Sequence, residues 1–247
     1  MSQDSVRREV ANLFLEDCST QDLVDFLCLG FPAKKVSIGA HITTLNALYD
    51  HQISSQDFSV VDYVYCDGWS IYILGKLFGL KKIQRIATTD LFPLVIEKLN
   101  RPLKICFVGG HPDIGPLIIE KWMKKNPLDQ CQYYDGYQND WNSTLAKIRN
   151  SEPDLMFLGL GMPLELQFIC NNYADLPNSI ILTCGGMLRI LAGIESRSPK
   201  IIQSLRLEWM FRLLTSPRRT FARYSKGLIN FFRAALLSTV VRRRTKI

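Results

Sequence analysis

Residues 103–125 read LKICFVGGHPDIGPLIIEKWMKK: an apolar run of strand length, a glycine pair, then a stretch whose apolar residues recur at helical spacing. A short apolar run closed by Gly-Gly and followed by a 3.6-residue period is the signature of a strand that turns directly into a helix. The same unit recurs on both sides. Candidate strands fall at 35–39, 60–66, 103–108, 130–134, 154–158 and 179–184, and candidate helices at 44–52, 69–78, 90–99, 114–125, 140–150, 164–173 and 186–192. Alternation of this kind predicts an α/β protein with a parallel sheet covered by helices on both faces. Ahead of it, two helical segments are expected to open the chain, with Ser19 or Thr20 capping the second, until Gly30-Phe31-Pro32 breaks the pattern.

The chain has 247 residues and 47% hydrophobic content, enough for one large domain or two small ones with a real core. Its seven cysteines are odd in number and form no Cys-x-x-Cys pair, which suggests neither a disulfide frame nor a zinc site and fits a reducing cytoplasm. The N-terminus lacks a signal-peptide core, and no uninterrupted apolar run approaches the ~18–20 residues needed to span a bilayer, so neither secretion nor a membrane span is expected. The net charge of +7 divides unevenly: residues 1–205 carry −3, whereas residues 206–247 carry +10. A segment so basic is suited to an anionic partner, either nucleic acid or a lipid surface.

Unusual residues gather where the candidate strands end: Asp67-Gly68, Gly109-Gly110, Asp135-Gly136-Tyr137, Gly159-Leu160-Gly161 and Gly185-Gly186. In an open α/β sheet the carboxyl ends of the strands form the ligand crevice, and glycines there let backbone amides approach a phosphate. A nucleotide or diphosphate is the natural ligand class, although any one glycine pair also serves as a tight turn. No G-x-x-x-x-G-K-[ST] is present, and GLGMPLEL lacks the third glycine of a dinucleotide fingerprint. There is no Asp-x-Asp pair for a metal-bound sugar nucleotide, and the histidines at 41, 51 and 111 form no metal-ligand pattern, so no metal or other cofactor is expected. Asp67 has two readings: a cap on the helix that begins at 69, or a carboxylate facing the cleft and able to act as a base.

In order and spacing, TTLN (Thr44, Asn46), CDGWSIYILGKLFG, RIATTD (Arg85, Asp90), ICFVGGHPDIG, YYDGY, PDLMFLGLGMPLELQFI, CGGMLRILAG, RSP and LEWMFRLLTSPRRTFARY resemble the WecG/TagA/CpsF glycosyltransferase family, or glycosyltransferase family 26, over roughly residues 36–224. The resemblance implies a Rossmann-like core, residues 1–204, with a basic helical appendage, 205–247. It implies an inverting enzyme that transfers N-acetylmannosamine, its uronic acid or glucose from a UDP-sugar to a polyprenyl-diphosphate-linked saccharide. The products of such enzymes feed teichoic acid linkage units, enterobacterial common antigen, capsules and exopolysaccharides. By the same resemblance Asp67 is the general base, Arg85 holds the diphosphate or the leaving UDP, and Thr44 and Asn46 orient a substrate. Gly68, Gly109, Gly110, Gly136, Tyr137, Gly159, Gly161, Pro163, Glu165, Gly185 and Gly186 line the donor pocket.

The chain departs from the family pattern where Gly-x-Pro-x-Gln-Glu becomes Gly161-Met162-Pro163-Leu164-Glu165-Leu166, where Thr88 replaces a glycine, and where Leu188-Arg189 replaces Phe-Asp. These changes are expected near the donor pocket and imply either a different donor sugar or lost activity in a non-catalytic, membrane-associated nucleotide-sugar-binding protein of the same fold; the retained Asp67, Thr44, Asn46 and Arg85 favour an altered donor preference. In the appendage, Arg223, Lys226, Asn230 and Arg233 form one helical stripe and Phe221, Leu228, Phe232 and Leu236 lie roughly opposite. That suits a helix lying in an anionic membrane interface, with Arg242, Arg243 and Arg244 strengthening attachment; packing of the apolar face on the protein's own core is the alternative. Nucleic acid is not expected as a partner, because the cations accompany a wide apolar face and no nucleic-acid module is present. The family further implies that Arg212, Arg218, Arg219 and Arg223 reach a diphosphate, and that the enzyme is cytoplasmic and peripheral on the inner face of the cell membrane. It leaves room for an oligomer.

Overall fold

The computed structural model describes residues 6–204, 207–215 and 217–244, excluding the side chains of 6, 204, 212, 218, 219, 223 and 238–244. The chain opens with an antiparallel hairpin, β1 (Val6–Val10) and β2 (Leu13–Asp17), in place of the first expected helix. Ala11 and Asn12 both have positive φ (53° and 66°), the backbone of a two-residue hairpin turn whose twist matches that of the strands. Val10, Leu13 and Leu15 are buried, and Arg7 pairs across the ladder with Glu16 at 3.1 Å. Helix α1 (Thr20–Cys28) begins as the sequence predicts, with Ser19 and Asp22 forming a reciprocal capping box.

The core follows as β3 (Lys35–Ala40), α2 (Ile42–Tyr49), β4 (Tyr63–Cys66), α3 (Trp69–Leu77), α4 (Thr88–Leu99), β5 (Lys104–Gly109), α5 (Ile114–Lys125), β6 (Gln130–Tyr134), α6 (Trp141–Ser151), β7 (Leu155–Gly159), α7 (Leu164–Asn172), β8 (Ile180–Thr183) and α8 (Met187–Leu191). Six strands form one parallel sheet in the order β4-β3-β8-β7-β5-β6, as the alternating pattern requires. Successive side chains point to opposite faces. Cys106, Val108, Met156, Leu158 and Ile181 therefore pack with α2, α3, α6 and α7, whereas Ile105, Phe107, Leu155, Phe157, Ile180 and Leu182 pack with α1, α4, α5 and α8. Burial on both faces explains why these strands read as continuous apolar runs.

Beyond the sheet lie α9 (Lys200–Ser204), α10 (Glu208–Thr215) and α11 (Pro217–Arg244). Helix α11 lies against α2 and α3 through a face of small and polar residues, Thr220, Gly227, Asn230 and Ala234, all buried. A side chain at Gly227 would come within 2.3 Å of Ile42, so close helix contact depends on glycine there. The expected cationic stripe is thereby divided: Asn230 turns inward, Lys226 forms an ion pair with Asp50 at 2.6 Å, and Arg233 is exposed. Phe221, Leu228, Phe232 and Leu236 stay exposed, so the face that packs on the core is not the large apolar one. Among the described residues no helix is long and apolar enough to cross a membrane.

Candidate active site

All six strands run parallel, so the turns after them emerge along one edge of the sheet, and with neighbours ~4.8 Å apart the row spans about 24 Å. The chain leaves β5 toward β6 and leaves β7 in the opposite direction, toward β8, which makes the boundary between β5 and β7 a topological switch point of the kind that binds ligands. Gly109 and Gly159 face one another across it, and a Cβ at Gly109 (φ +123°) would lie 2.4 Å from the Gly159 carbonyl oxygen. The floor of the crevice is therefore bare backbone. Gly136 donates its amide to Gly110 O at 2.8 Å, and Tyr133 Oη donates to the carbonyl oxygens of Gly109 and His111, both at 2.7 Å. Exposed Tyr137 meets the His111 ring edge-on at 5.8 Å. Gly161 and Gly185 have positive φ, and nothing lies within 4 Å of a Cβ built on either or on Gly186, so these turns present backbone to open space.

Asp67 stands at the other end of the row, directly after β4. The amides of Asp67 and Gly68 both donate to Ala40 O at 3.0 Å, which holds the β4 turn against that of β3 and sets Asp67 beside His41. The N-cap of α3 is Gly68, so Asp67 lies one residue outside the helix. Arg85 folds back over this turn: its Nε donates to the Asp67 carbonyl oxygen at 3.0 Å, and its guanidinium stacks on Trp69 at 5.4 Å. Its remaining edge forms an ion pair with Glu208 of α10. Ser198 donates to Glu208 at 3.3 Å, and Arg197 grips Asp90 with two bonds of 2.6 Å. The segment that follows α8 is thus clamped over the cation expected to meet a diphosphate.

Other expected site residues lie behind the cleft wall. Thr44 is fully buried in the first turn of α2, where its Oγ1 accepts the His41 amide at 3.3 Å. Asn46 is buried under α11 and accepts a hydrogen bond from Asn230 Nδ2 at 3.0 Å. Pro163 immediately precedes α7. Glu165 is 1% exposed; its carboxylate accepts the Gly185 amide at 2.9 Å. Burial pushes its carboxyl up to about 7; backbone hydrogen bonding, the Gly185 amide first, pulls the other way, and Asp67 adds to the rise.

The substitutions expected in the donor pocket are likewise set back. Leu166 is wholly buried in the core, where an acid would be desolvated, and Leu188 packs under Gly159. Thr88 is buried, hydrogen-bonded to Tyr65 Oη at 2.6 Å and to Thr183 O at 3.3 Å, and Arg189 pairs with Glu195 at 2.5 Å. The side chains of Arg212, Arg218, Arg219 and Arg223 lie outside the described residues. Among the described residues no group of three or more His, Cys, Asp or Glu side chains is placed to hold a metal ion. A separate groove of about 390 Å³ between α4, α5 and α8, lined in part by Phe92, Ile118, Trp122 and Leu191, contains none of the expected site residues.

Compared with known proteins, residues 9–245 match the glycosyl transferase WecG/TagA/CpsF family. The chain belongs to that family. Among curated members, an N-acetylglucosaminyldiphosphoundecaprenol N-acetyl-β-D-mannosaminyltransferase of Bacillus spizizenii is 32% identical over 177 residues, 70% of this chain and 66% of that protein. Proteins of the same name from Bacillus subtilis and Staphylococcus aureus are 28% and 23% identical, each match spanning 74% of this chain and 74% and 72% of the relative. The chain thus spans about two thirds to three quarters of these relatives. The WecG/TagA/CpsF match covers the six-stranded sheet, every glycine turn of the cleft and all of α11, so the appendage belongs to what the family shares. His41, Trp69, Arg197 and Glu208 are the cleft residues to which sequence reasoning assigned no role; the signal for Trp69, Arg197 and Glu208 was that they fall within CDGWSIYILGKLFG, RSP and LEWMFR.

Proposed function

We propose that this WecG/TagA/CpsF member is an inverting glycosyltransferase that moves an N-acetylmannosamine-type sugar from a UDP-sugar to a polyprenyl-diphosphate-linked saccharide for a cell-surface polymer. The observation that carries this is the row of glycine turns along the carboxyl edge, ending in Asp67 and Arg85, in a chain whose relatives are named for transfer to N-acetylglucosaminyldiphosphoundecaprenol. Those names favour N-acetylmannosamine over its uronic acid or glucose.

In the proposed reaction, the uridine lies toward the β5/β7 crevice and the diphosphate crosses the turns of Gly161 and Gly185, bringing the sugar toward Asp67. The acceptor hydroxyl oxygen attacks the anomeric carbon from the face opposite UDP. Its proton passes to the Asp67 carboxylate, and the bond from the anomeric carbon to the diphosphate oxygen breaks, inverting the configuration. Charge accumulates on the departing UDP, where Arg85 offsets it once its edge is freed from Glu208. No step requires a cofactor.

The acceptor lipid places the work at a membrane surface, and we propose that α10 and α11 dock there, on the inner face. Trp209, Met210 and Leu214 of α10 and Phe221, Leu228, Ile229, Phe232 and Leu236 of α11 are exposed, which is more large apolar surface than a water-facing helix pair needs. UDP release from a panel of UDP-sugars, with vesicles containing the lipid-linked acceptor, tests the proposal. It predicts release with one donor and dependence on acceptor. Binding of UDP without release from any donor would reduce the protein to a nucleotide-sugar-binding member of the fold.

A further inference from the structure

The turns after β7 and β8 are glycine-rich, with Gly161 and Gly185 at positive φ, and their glycines carry no side chain to hold them where they open to the cleft. One side chain lies behind both. Glu165, in the first turn of α7, accepts the Gly185 amide on its carboxylate at 2.9 Å, while its own amide donates to Gly161 O at 3.1 Å, so a single residue ties two neighbouring turns together. We propose that Glu165 is a positioning residue: its buried carboxylate fixes the two glycine turns against each other, and thereby sets the backbone wall that a donor diphosphate would lie on. It does not itself touch the donor, being 1% exposed. The proposal rests on the glycosyltransferase reading for its consequence in turnover, though the tie between the turns exists without it.

The surroundings make this tie sensitive to protonation. The titratable groups facing Glu165 are Asp67 after β4, Tyr65 of β4 and Cys184 after β8, and none of them supplies positive charge. As a carboxylate, Glu165 offers two oxygens that only accept; as the neutral acid it keeps one hydroxyl that donates, and the tie loosens. A glutamine at this position resembles the acid form permanently. Sequence comparison alone would place the exchange of an amide for a carboxylate in contact with the sugar; the structure moves it behind the backbone.

The test uses the full chain and the variants E165Q and E165A. The Gly185 amide resonance, with those of the neighbouring Gly161 and Cys184, should titrate near pH 7 in the wild type and stay flat in E165Q, and hydrogen exchange at Gly185 should quicken at least tenfold in E165A. UDP affinity of the wild type should fall severalfold between pH 8 and pH 6, with E165Q behaving at both as the wild type does at pH 6. In turnover, E165A should raise the donor KM at least tenfold while kcat changes less than threefold, and E165Q should recover part of that loss. Amides that neither titrate nor exchange faster in E165A would overturn the tie, and a wild-type KM in E165A would overturn its role. Absence of turnover in the wild type, with titrating amides, would strike at the glycosyltransferase reading and leave the tie standing.

Discussion

Replacing Glu165 with glutamine should make the protein more stable, and increasingly so as the pH rises. The folded protein raises this carboxyl from its ordinary 4.5 to about 7, chiefly by burial, so the native state holds the proton more tightly than the unfolded chain. A group shifted in that direction contributes stability that is full below pH ~4.5 and is lost as pH rises through about 7. The shift corresponds to about 3 kcal/mol at ~1.4 kcal/mol per pKa unit, all of it lost above pH ~7.5. Glutamine has no such term. Thermal unfolding of the wild type and E165Q between pH 5 and pH 8.5 should therefore diverge, with the mutant gaining about 6–12 °C relative to the wild type across the range, at ~2–4 °C per kcal/mol for a chain of this size. A difference in Tm that does not change with pH, or a wild type that gains on the mutant as pH rises, would refute the burial of a titrating carboxyl here.

Glu208→Gln removes the carboxylate that competes for the Arg85 guanidinium and should tighten UDP binding severalfold by calorimetry; weaker binding would mean that Glu208 holds Arg85 in place. Phe221→Ser combined with Phe232→Ser should lower association with anionic vesicles at least tenfold in a sedimentation assay, since each side chain gains about 1–2 kcal/mol on leaving water. Gly109→Ala should destabilise the fold by about 2 kcal/mol or more in urea, because its methyl would meet the Gly159 carbonyl and the backbone lies at φ +123°.

Much of the core was legible because its strands are buried on both faces and its helices carry one apolar face each. Strand runs such as Leu155–Leu158 are wholly buried, which left glycines and caps to mark the ends. The N-terminal hairpin was not legible: Ala11-Asn12 is a weak turn signal, and VRREV offers little alternation once Arg7 and Glu16 pair across the ladder. Asp67 and the glycine turns could be placed on the cleft edge because topology alone puts every strand end there. The positions of Thr44, Asn46, Glu165 and Thr88 behind that edge could not, since their partners (His41, Asn230, Gly185 and Tyr65) are set by packing between elements or by turn geometry that spacing does not reveal. The same limit applied to α11. Its wheel separates cations from aromatics correctly, but only contact with α2 and α3 shows that the buried face is the third one, Thr220, Gly227, Asn230 and Ala234.

The most direct test of the proposed chemistry compares wild type with Asp67→Asn in donor-dependent UDP release on vesicles bearing the lipid-linked acceptor, together with UDP binding to each. A base that takes the acceptor proton predicts a fall in turnover of about 10²–10⁴-fold with UDP affinity nearly unchanged. Turnover in Asp67→Asn within threefold of the wild type would contradict the assignment of Asp67 and, with it, the mechanism built on this end of the cleft.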